Sequence, residues 1–328
     1  MNSPLVSICI PTYNGEKYLK ECLDSCIDQT FKNYEIIICD DCSSDGTIKI
    51  IEEYAKIFPQ IILFQNDENL GLVGNWNRCI HHSNGEWIKF VFQDDYITKD
   101  CLDKFVQKIN DSTQLIVCKR NFKLPHNPTA DFVNYYTNVV RTLENTTAFK
   151  GNIFSPELIS KIAIENICLN FIGEPSLIFF RKNITKQVSN FNPSLKQICD
   201  LEFTLRIASK YGLTYLREQL CTFRIHQNST TSKNVDEKYF EIHYLEPILF
   251  SHELLYNNNF ESLRSHLNLF QKFKLNLYFR IKTHRAYEVN LKEKREHFLF
   301  TDENKEFKKI LDYKKGNVLI KFISAILN

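Results

Sequence analysis

The chain has 328 residues, 43% of them hydrophobic, and a formal charge of +2. Its length exceeds one typical domain and suits an α/β domain with an appendage, with apolar residues enough for a core. The near-neutral charge excludes nucleic-acid binding as the main task, and eleven scattered cysteines exclude a disulfide scaffold and read as reduced, cytosolic thiols.

The first apolar run is Val6–Ile10, stopped by Pro11-Thr12-Tyr13-Asn14-Gly15. A helical pattern follows, with Tyr18, Leu19, Cys22, Leu23 and Cys26 on one face. Glu35–Cys39 is a second apolar run, ending in Asp40-Asp41. Asp45 reads as the N-cap of a helix carrying Ile48, Ile51, Tyr54 and Ala55. Ile61–Phe64 is a third strand, and a helix over about 71–83 leads to a fourth, Trp87–Gln93. Continuous apolar strands spaced by amphipathic helices predict a parallel sheet covered on both faces. Ligands of such sheets bind at the carboxyl ends of the strands, where Tyr13, Asp40, Asp41, Asp94 and Asp95 gather.

Asp94-Asp95 is the most informative pair. Adjacent carboxylates at the end of a buried strand repel and resist desolvation. A Mn²⁺ or Mg²⁺ ion bound by a diphosphate resolves both costs. Alone, Asp-Asp after a strand is more often a turn or a helix N-cap; its weight comes from the elements before it. The first strand-to-helix turn lacks Gly-x-Gly-x-x-Gly, and no Walker loop occurs. A phosphorylated ligand must then find its neutralising charge elsewhere.

Four segments resemble an inverting family 2 glycosyltransferase of the GT-A fold. They are Pro4–Gly15, Ile37–Thr47, Asn69–Gly71 through Asn77-Arg78 with Gly85–Ile88, and Gln93-Asp94-Asp95, the last similar to a shortened Asp-x-Asp motif. The resemblance is strong over residues 4–110 and weaker to about 231. It implies a Rossmann-like, mainly parallel sheet flanked by helices. It also implies a nucleotide-binding set of Pro11, Thr12, Tyr13, Asn14, Asp41, Asn77 and Asp94. An aromatic face such as Tyr13 stacks on a base, and a carboxylate such as Asp41 accepts from the uracil imide N–H. Asp94 would reach the ribose or the sugar, and Asp95 would bind the metal. Without the resemblance, Tyr13 reads as a surface turn residue and Asp40-Asp41 as a cap for the next helix.

An inverting transfer needs a carboxylate to take the acceptor hydroxyl proton. Ile198–Arg206 resembles the family's segment for that base, with Cys199-Asp200 where a Glu-Asp pair is usual. Asp200 is the expected base. Glu202 is its competitor, on a different helix face; a helix-dipole role is the plain alternative for Asp200. Phe171–Ser176 resembles a turn lining the acceptor and donor-sugar pocket, so Glu174 is expected at a sugar hydroxyl. Phe223–Thr230 resembles a segment closing over the diphosphate, where His226 would complete the metal shell or pair with phosphate.

After about residue 235 glycine and proline become rare and helical periodicity dominates. The expected organisation is a catalytic domain over 1–235, with a nucleotide-binding half to about 110 and an acceptor half to 235, followed by a helical region over 236–328. Residues 261–328 carry 15 Lys and Arg against 8 Asp and Glu. In the last stretch, from about Asp302, Lys308, Lys309, Lys314, Lys315 and Lys321 interleave with Val318–Ile320, Phe322, Ile323, Ile326 and Leu327. Such a helix suits an anionic membrane surface, or packs on the catalytic domain with a solvated basic face. The start of the chain shows no signal peptide, and no apolar run approaches the ~20 residues of a membrane span. These features lead to an expectation of a cytoplasmic protein, peripheral at the inner face of the plasma membrane. It would move a sugar from a UDP-sugar to a glycan or lipid-linked acceptor in lipopolysaccharide, O-antigen or capsule synthesis. The alternatives are a sugar-phosphate nucleotidyltransferase, for which the first loop has too few glycines and basic residues, and a non-catalytic glycan-binding subunit.

Overall fold

The computed structural model describes residues 4–226 and 241–292. The 235/236 boundary, Asn228–Thr230 and the amphipathic tail from Asp302 lie outside the described residues. In chain order β1 (Val6–Thr12), α1 (Leu19–Ile27), β2 (Tyr34–Asp40), α2 (Thr47–Ile57), β3 (Ile61–Gln65), α3 (Gly71–His82) and β4 (Trp87–Phe90) build the first half. All residues of β1, β2 and β4 are buried, as strands covered on both faces must be. β1 lies between β2 and β4, and β3 flanks β2, all in parallel register. That half matches the reading from sequence, with two adjustments. β4 ends at Phe90 rather than Gln93, and the Phe92 N–H turns to the Ser176 hydroxyl at 3.2 Å. Gly46, not Asp45, is the N-cap of α2; Asp45 stands one residue earlier and accepts from the Thr47 N–H at 3.0 Å.

The second half is less regular. It comprises β5 (Tyr96–Ile97), α4 (Cys101–Val106), β6 (Leu115–Lys123), α5 (Ala130–Asn134), β7 (Ile153–Phe154), α6 (Pro156–Glu165), β8 (Ile178–Arg181), α7 (Thr185–Val188), α8 (Cys199–Tyr211) and β9 (Leu213–Arg224). The strand order is β3-β2-β1-β4-β8-β6-β9-β5, with β7 also on β9. β8 joins β4 and β6 antiparallel, while β6 and β9 run parallel. The sheet is therefore mixed and mainly parallel. The crossovers return β9 so that its last residue, Arg224, and His226 just beyond it reach Asp94-Asp95.

Three further helices are α9 (Glu246–Tyr256), α10 (Glu261–Ser265) and α11 (Leu269–Lys292). The helical region is interrupted at 266–268, between α10 and α11. Asn268 and Gln271 exchange side-chain-to-backbone hydrogen bonds there, a capping pair that starts α11 afresh. α10 packs on α6 and α8, and α11 on α6 and α9. Glu246 ties α9 to α8 by accepting the N–H groups of Lys196, Gln197 and Ile198 just before the α8 start. No helix among the described residues is long and apolar enough to cross a membrane.

Candidate active site

The loops after β1 and β2 form one edge of the site. Thr12 donates to Asp40 at 2.8 Å, and Asp40 accepts from the Ser43 N–H and hydroxyl. The Asn14 N–H donates to the Ser43 hydroxyl, and its side-chain oxygen accepts from the Ser44 N–H, both at 2.8 Å. Tyr13 is half exposed on this rim. The Gln93 amide holds its backbone, accepting from the Tyr13 N–H at 2.9 Å and donating to its carbonyl at 3.0 Å. A Cβ at Gly15 would stand 2.2 Å from Gln93 Oε1, so a side chain there would displace the Gln93 amide. Gln93 was not singled out from sequence, although its place before Asp94-Asp95 was the available signal.

Asp41 is 3% exposed, and its carboxylate accepts from Asn66 Nδ2 (2.9 Å) and the N–H groups of Leu70 (2.8 Å) and Gly71 (2.9 Å). It thus caps α3, and not the next helix in the chain, α2, as the plain sequence reading had it. Of about four acceptor positions on a carboxylate, one remains, on Oδ2.

Asp94 and Asp95 part in function at a tight turn. Asp94 Oδ2 lies 2.8 Å from His226 Nε2, and the His226 ring sits 4.9 Å from that of Tyr18. Asp95 is buried; it accepts from the Ser176 hydroxyl and, at 3.0 Å, from the Arg224 N–H. Burial, then the Asp94 charge, push the Asp95 pKa well above the usual carboxylate range. The Arg224 guanidinium donates to the Asp94 carbonyl at 2.9 Å, pairs with Glu21 and lies 4.6 Å over the Tyr18 ring. Ser176 and Arg224 lie in the segments Phe171–Ser176 and Phe223–Thr230 but gained no role from the sequence, because they meet Asp95 only through the turn before β8 and through β9.

Asp200 opens α8. Its Oδ2 accepts from Asn170 at 2.8 Å and its Oδ1 from the Leu201 N–H at 2.7 Å. Burial first, then the Glu174 charge, lift its pKa to about 7, against the helix amide and Arg120. Glu174 pairs with Arg120 Nε at 2.9 Å, and its charge also acts on Asp95. Its charge is thus felt at both Asp95 and Asp200. Asn170 further accepts from the Gly173 N–H at 2.8 Å. Gly173 has φ +127°, and a Cβ there would meet Leu177 at 2.5 Å, so glycine fixes this turn.

Two expected site residues point elsewhere. Asn77 donates to the Phe191 carbonyl at 2.9 Å and accepts its N–H at 3.0 Å. Its amide is a strut between α3 and the segment before α8. Glu202 is 1% exposed and pairs with Arg206 at 2.8 Å. Burial raises its pKa to about 6 and Arg206 opposes the rise. Arg206 also donates to the carbonyls of Val188, Ser189 and Asn190. Glu202 is thus a core ion pair.

Residues 7–152 match the family model described as Glycosyl transferase family 2. An uncharacterized glycosyltransferase of Haemophilus influenzae is 27% identical over 256 residues, covering 74% of this chain and 78% of the relative. Chondroitin synthase of Escherichia coli is 26% identical over 249 residues, covering 73% of this chain; the chain spans about a third of that relative, 32%. Among solved structures, S. aureus TarS 1-349 in complex with UDP-GlcNAc matches with a TM-score of 0.56 at 21% identity, covering 86% of this chain and 72% of TarS 1-349. Mannosyltransferase PcManGT from Pyrobaculum calidifontis, in complex with GDP-Man and Mn²⁺, matches with a TM-score of 0.54 at 16% identity, covering 95% and 85%. Both structural matches are to the fold: a GT-A sheet with helices on its faces.

Proposed function

We propose that this chain, whose residues 7–152 match the family 2 glycosyl transferase model, transfers a sugar, with inversion, from a nucleotide-diphosphate sugar to a glycan acceptor. The observation that carries this is Asp200. It is a buried carboxylate at a helix start whose pKa is lifted to about 7 and whose field is shared, through Glu174, with Asp95. A base working near neutral pH needs such a value. Asp200 takes the acceptor hydroxyl proton while that oxygen attacks the anomeric carbon; the bond from that carbon to the diphosphate oxygen breaks on the opposite side. Glu174 orients sugar hydroxyls between the two carboxylates.

The Asp94, Asp95 and His226 donors fit a divalent cation. Two oxygens and an imidazole suit Mn²⁺ or Mg²⁺, and the buried, charge-crowded Asp95 is the group such a cation would relieve. Among the described residues no three His, Cys, Asp or Glu side chains form a metal site alone, so diphosphate oxygens would share the coordination. When bound, the cation neutralises the departing nucleoside diphosphate.

UDP is the favoured carrier. The TarS match binds UDP-GlcNAc, and the remaining Asp41 acceptor position suits an imide N–H. Tyr13, Thr12 and Pro11 would line the base, and Asn14 would brace that wall. Chondroitin synthase supports an acceptor in polysaccharide synthesis, which we assign to a surface glycan or its lipid-linked precursor at the inner membrane face. A thermal-shift panel of UDP-, GDP- and TDP-sugars, with and without Mn²⁺, tests the reading. Stabilisation by a UDP-sugar that needs Mn²⁺ supports it. Equal stabilisation by UDP- and GDP-sugars removes the carrier assignment.

A further inference from the structure

Lys89 stands in the middle of β4 between Ile88 and Phe90, with no solvent exposure. An ammonium at such a position is costly unless it is fully hydrogen-bonded. Its Nζ donates to the Phe90 carbonyl at 3.0 Å and to the Ser176 carbonyl. The Phe105 ring lies 5.4 Å from it. Cys221 adds a further hydrogen bond, and Cys221 Sγ lies 3.6 Å from Cys118 Sγ and 3.9 Å from Cys101 Sγ. Burial works against the Lys89 charge, but the sulfur cluster, Cys221 foremost, offsets it. Sheet packing alone does not call for a charge here; methionine has the length and volume to fill this space.

The partners of Ser176 show what the charge does. Its carbonyl accepts from Lys89, its hydroxyl oxygen accepts from the Phe92 N–H at 3.2 Å, and its hydroxyl donates to Asp95 Oδ2. Ser176 lies in the short turn Pro175–Leu177, next in sequence to Glu174. One ammonium therefore moors the turn that presents Ser176 to Asp95 and Glu174 to Asp200. We propose that Lys89 is a positioning residue for cation binding: by anchoring the Ser176 carbonyl it holds the Ser176 hydroxyl on Asp95 and fixes that carboxylate toward the diphosphate-bound cation.

This inference rests on the reading of Asp95 as a cation ligand, and the test separates the two. In the full chain, Lys89→Met, Ser176→Ala, their double variant and Asp95→Asn are compared. The readouts are the ligand-free melting midpoint and the Mn²⁺ concentration that gives half of the UDP-induced thermal shift. Lys89→Met should melt within a few degrees of the parent. Its Mn²⁺ requirement should rise about 10–100-fold, the usual effect of losing a group that holds a metal ligand. Ser176→Ala should match it, and the double variant should add little, because both act through one chain of contacts. If Lys89→Met does not fold, Lys89→Gln takes its place under the same criteria. A parent-like Mn²⁺ requirement in the Lys89 variant, or fully additive effects, overturns the proposal. If Asp95→Asn loses Mn²⁺ dependence while Lys89→Met keeps it, only the role of Lys89 fails. If Asp95→Asn titrates like the parent, the Asp95 reading fails and this one with it.

Discussion

Replacing Asp200 by Asn should cost turnover and at the same time stabilise the protein at alkaline pH. The carboxyl pKa rises from 3.8 to about 7 on folding. The folded state therefore keeps its proton where the unfolded chain has already lost it, and stability falls as pH rises from about 4 to about 7. At ~1.4 kcal/mol per pKa unit, the full loss above neutral pH is at most about 4 kcal/mol. Asn removes that loss. Its oxygen can keep the Leu201 N–H, but its amide then faces the Asn170 amide, and one hydrogen bond worth about 1 kcal/mol goes. A net gain of about 2–3 kcal/mol at pH 8 is expected, shrinking toward pH 5. Turnover should drop about 10²–10⁴-fold, the worth of a positioned base, with UDP affinity unchanged. Denaturant melts at pH 5 and pH 8, calorimetry with UDP and Mn²⁺, and initial rates measure the three quantities. A variant that keeps its turnover and shows the parent's pH dependence of stability would refute the assignment.

Glu174→Gln should move the acid limb of the pH–rate profile below about 7, because the Glu174 charge raises the Asp200 pKa and the freed Arg120 charge lowers it; an unmoved limb contradicts the coupling. Glu202→Gln should destabilise the fold by about 3 kcal/mol, since it strips the buried Arg206 of its counter-charge, while turnover per folded molecule stays near the parent's; a stable but inactive variant would return the base to Glu202. Asp41→Ala should cost about 1–3 kcal/mol by orphaning donors at the start of α3, measured by chemical denaturation; a neutral change excludes the capping role. Deleting 316–328 should leave donor hydrolysis intact and reduce sedimentation with anionic vesicles, each basic residue near the surface contributing about 1 kcal/mol; undiminished sedimentation excludes the tail as the membrane contact.

The parallel half of the sheet was legible because each of its strands is an unbroken apolar run and each helix between them has one apolar face. The antiparallel half was not. β5 and β7 are two residues long, and β9 mixes exposed Glu218 and Gln219 with its buried positions. The motifs name Asp94 and Asp95, in the turn beyond β4, and Asp200, at the start of α8, directly. Their supports, Ser176, Arg224, Asn170 and Arg120, lie 30 to 130 positions away along the chain and meet them only through topology. Two signals were present and unused. Lys89 interrupts an otherwise apolar strand, which already marks a charge with a buried partner. Glu202 and Arg206 stand four apart on one helix, the spacing of an ion pair, which argued against Glu202 as a base.

The most direct measurement is nucleotide release from a panel of UDP-sugars by the full chain with Mn²⁺, with EDTA, and in the Asp95→Asn variant. A glycosyltransferase working through Asp95 and a divalent cation should release UDP from at least one sugar with Mn²⁺ and lose that release both in EDTA and in Asp95→Asn. UDP release that persists undiminished in EDTA and in the variant would contradict it.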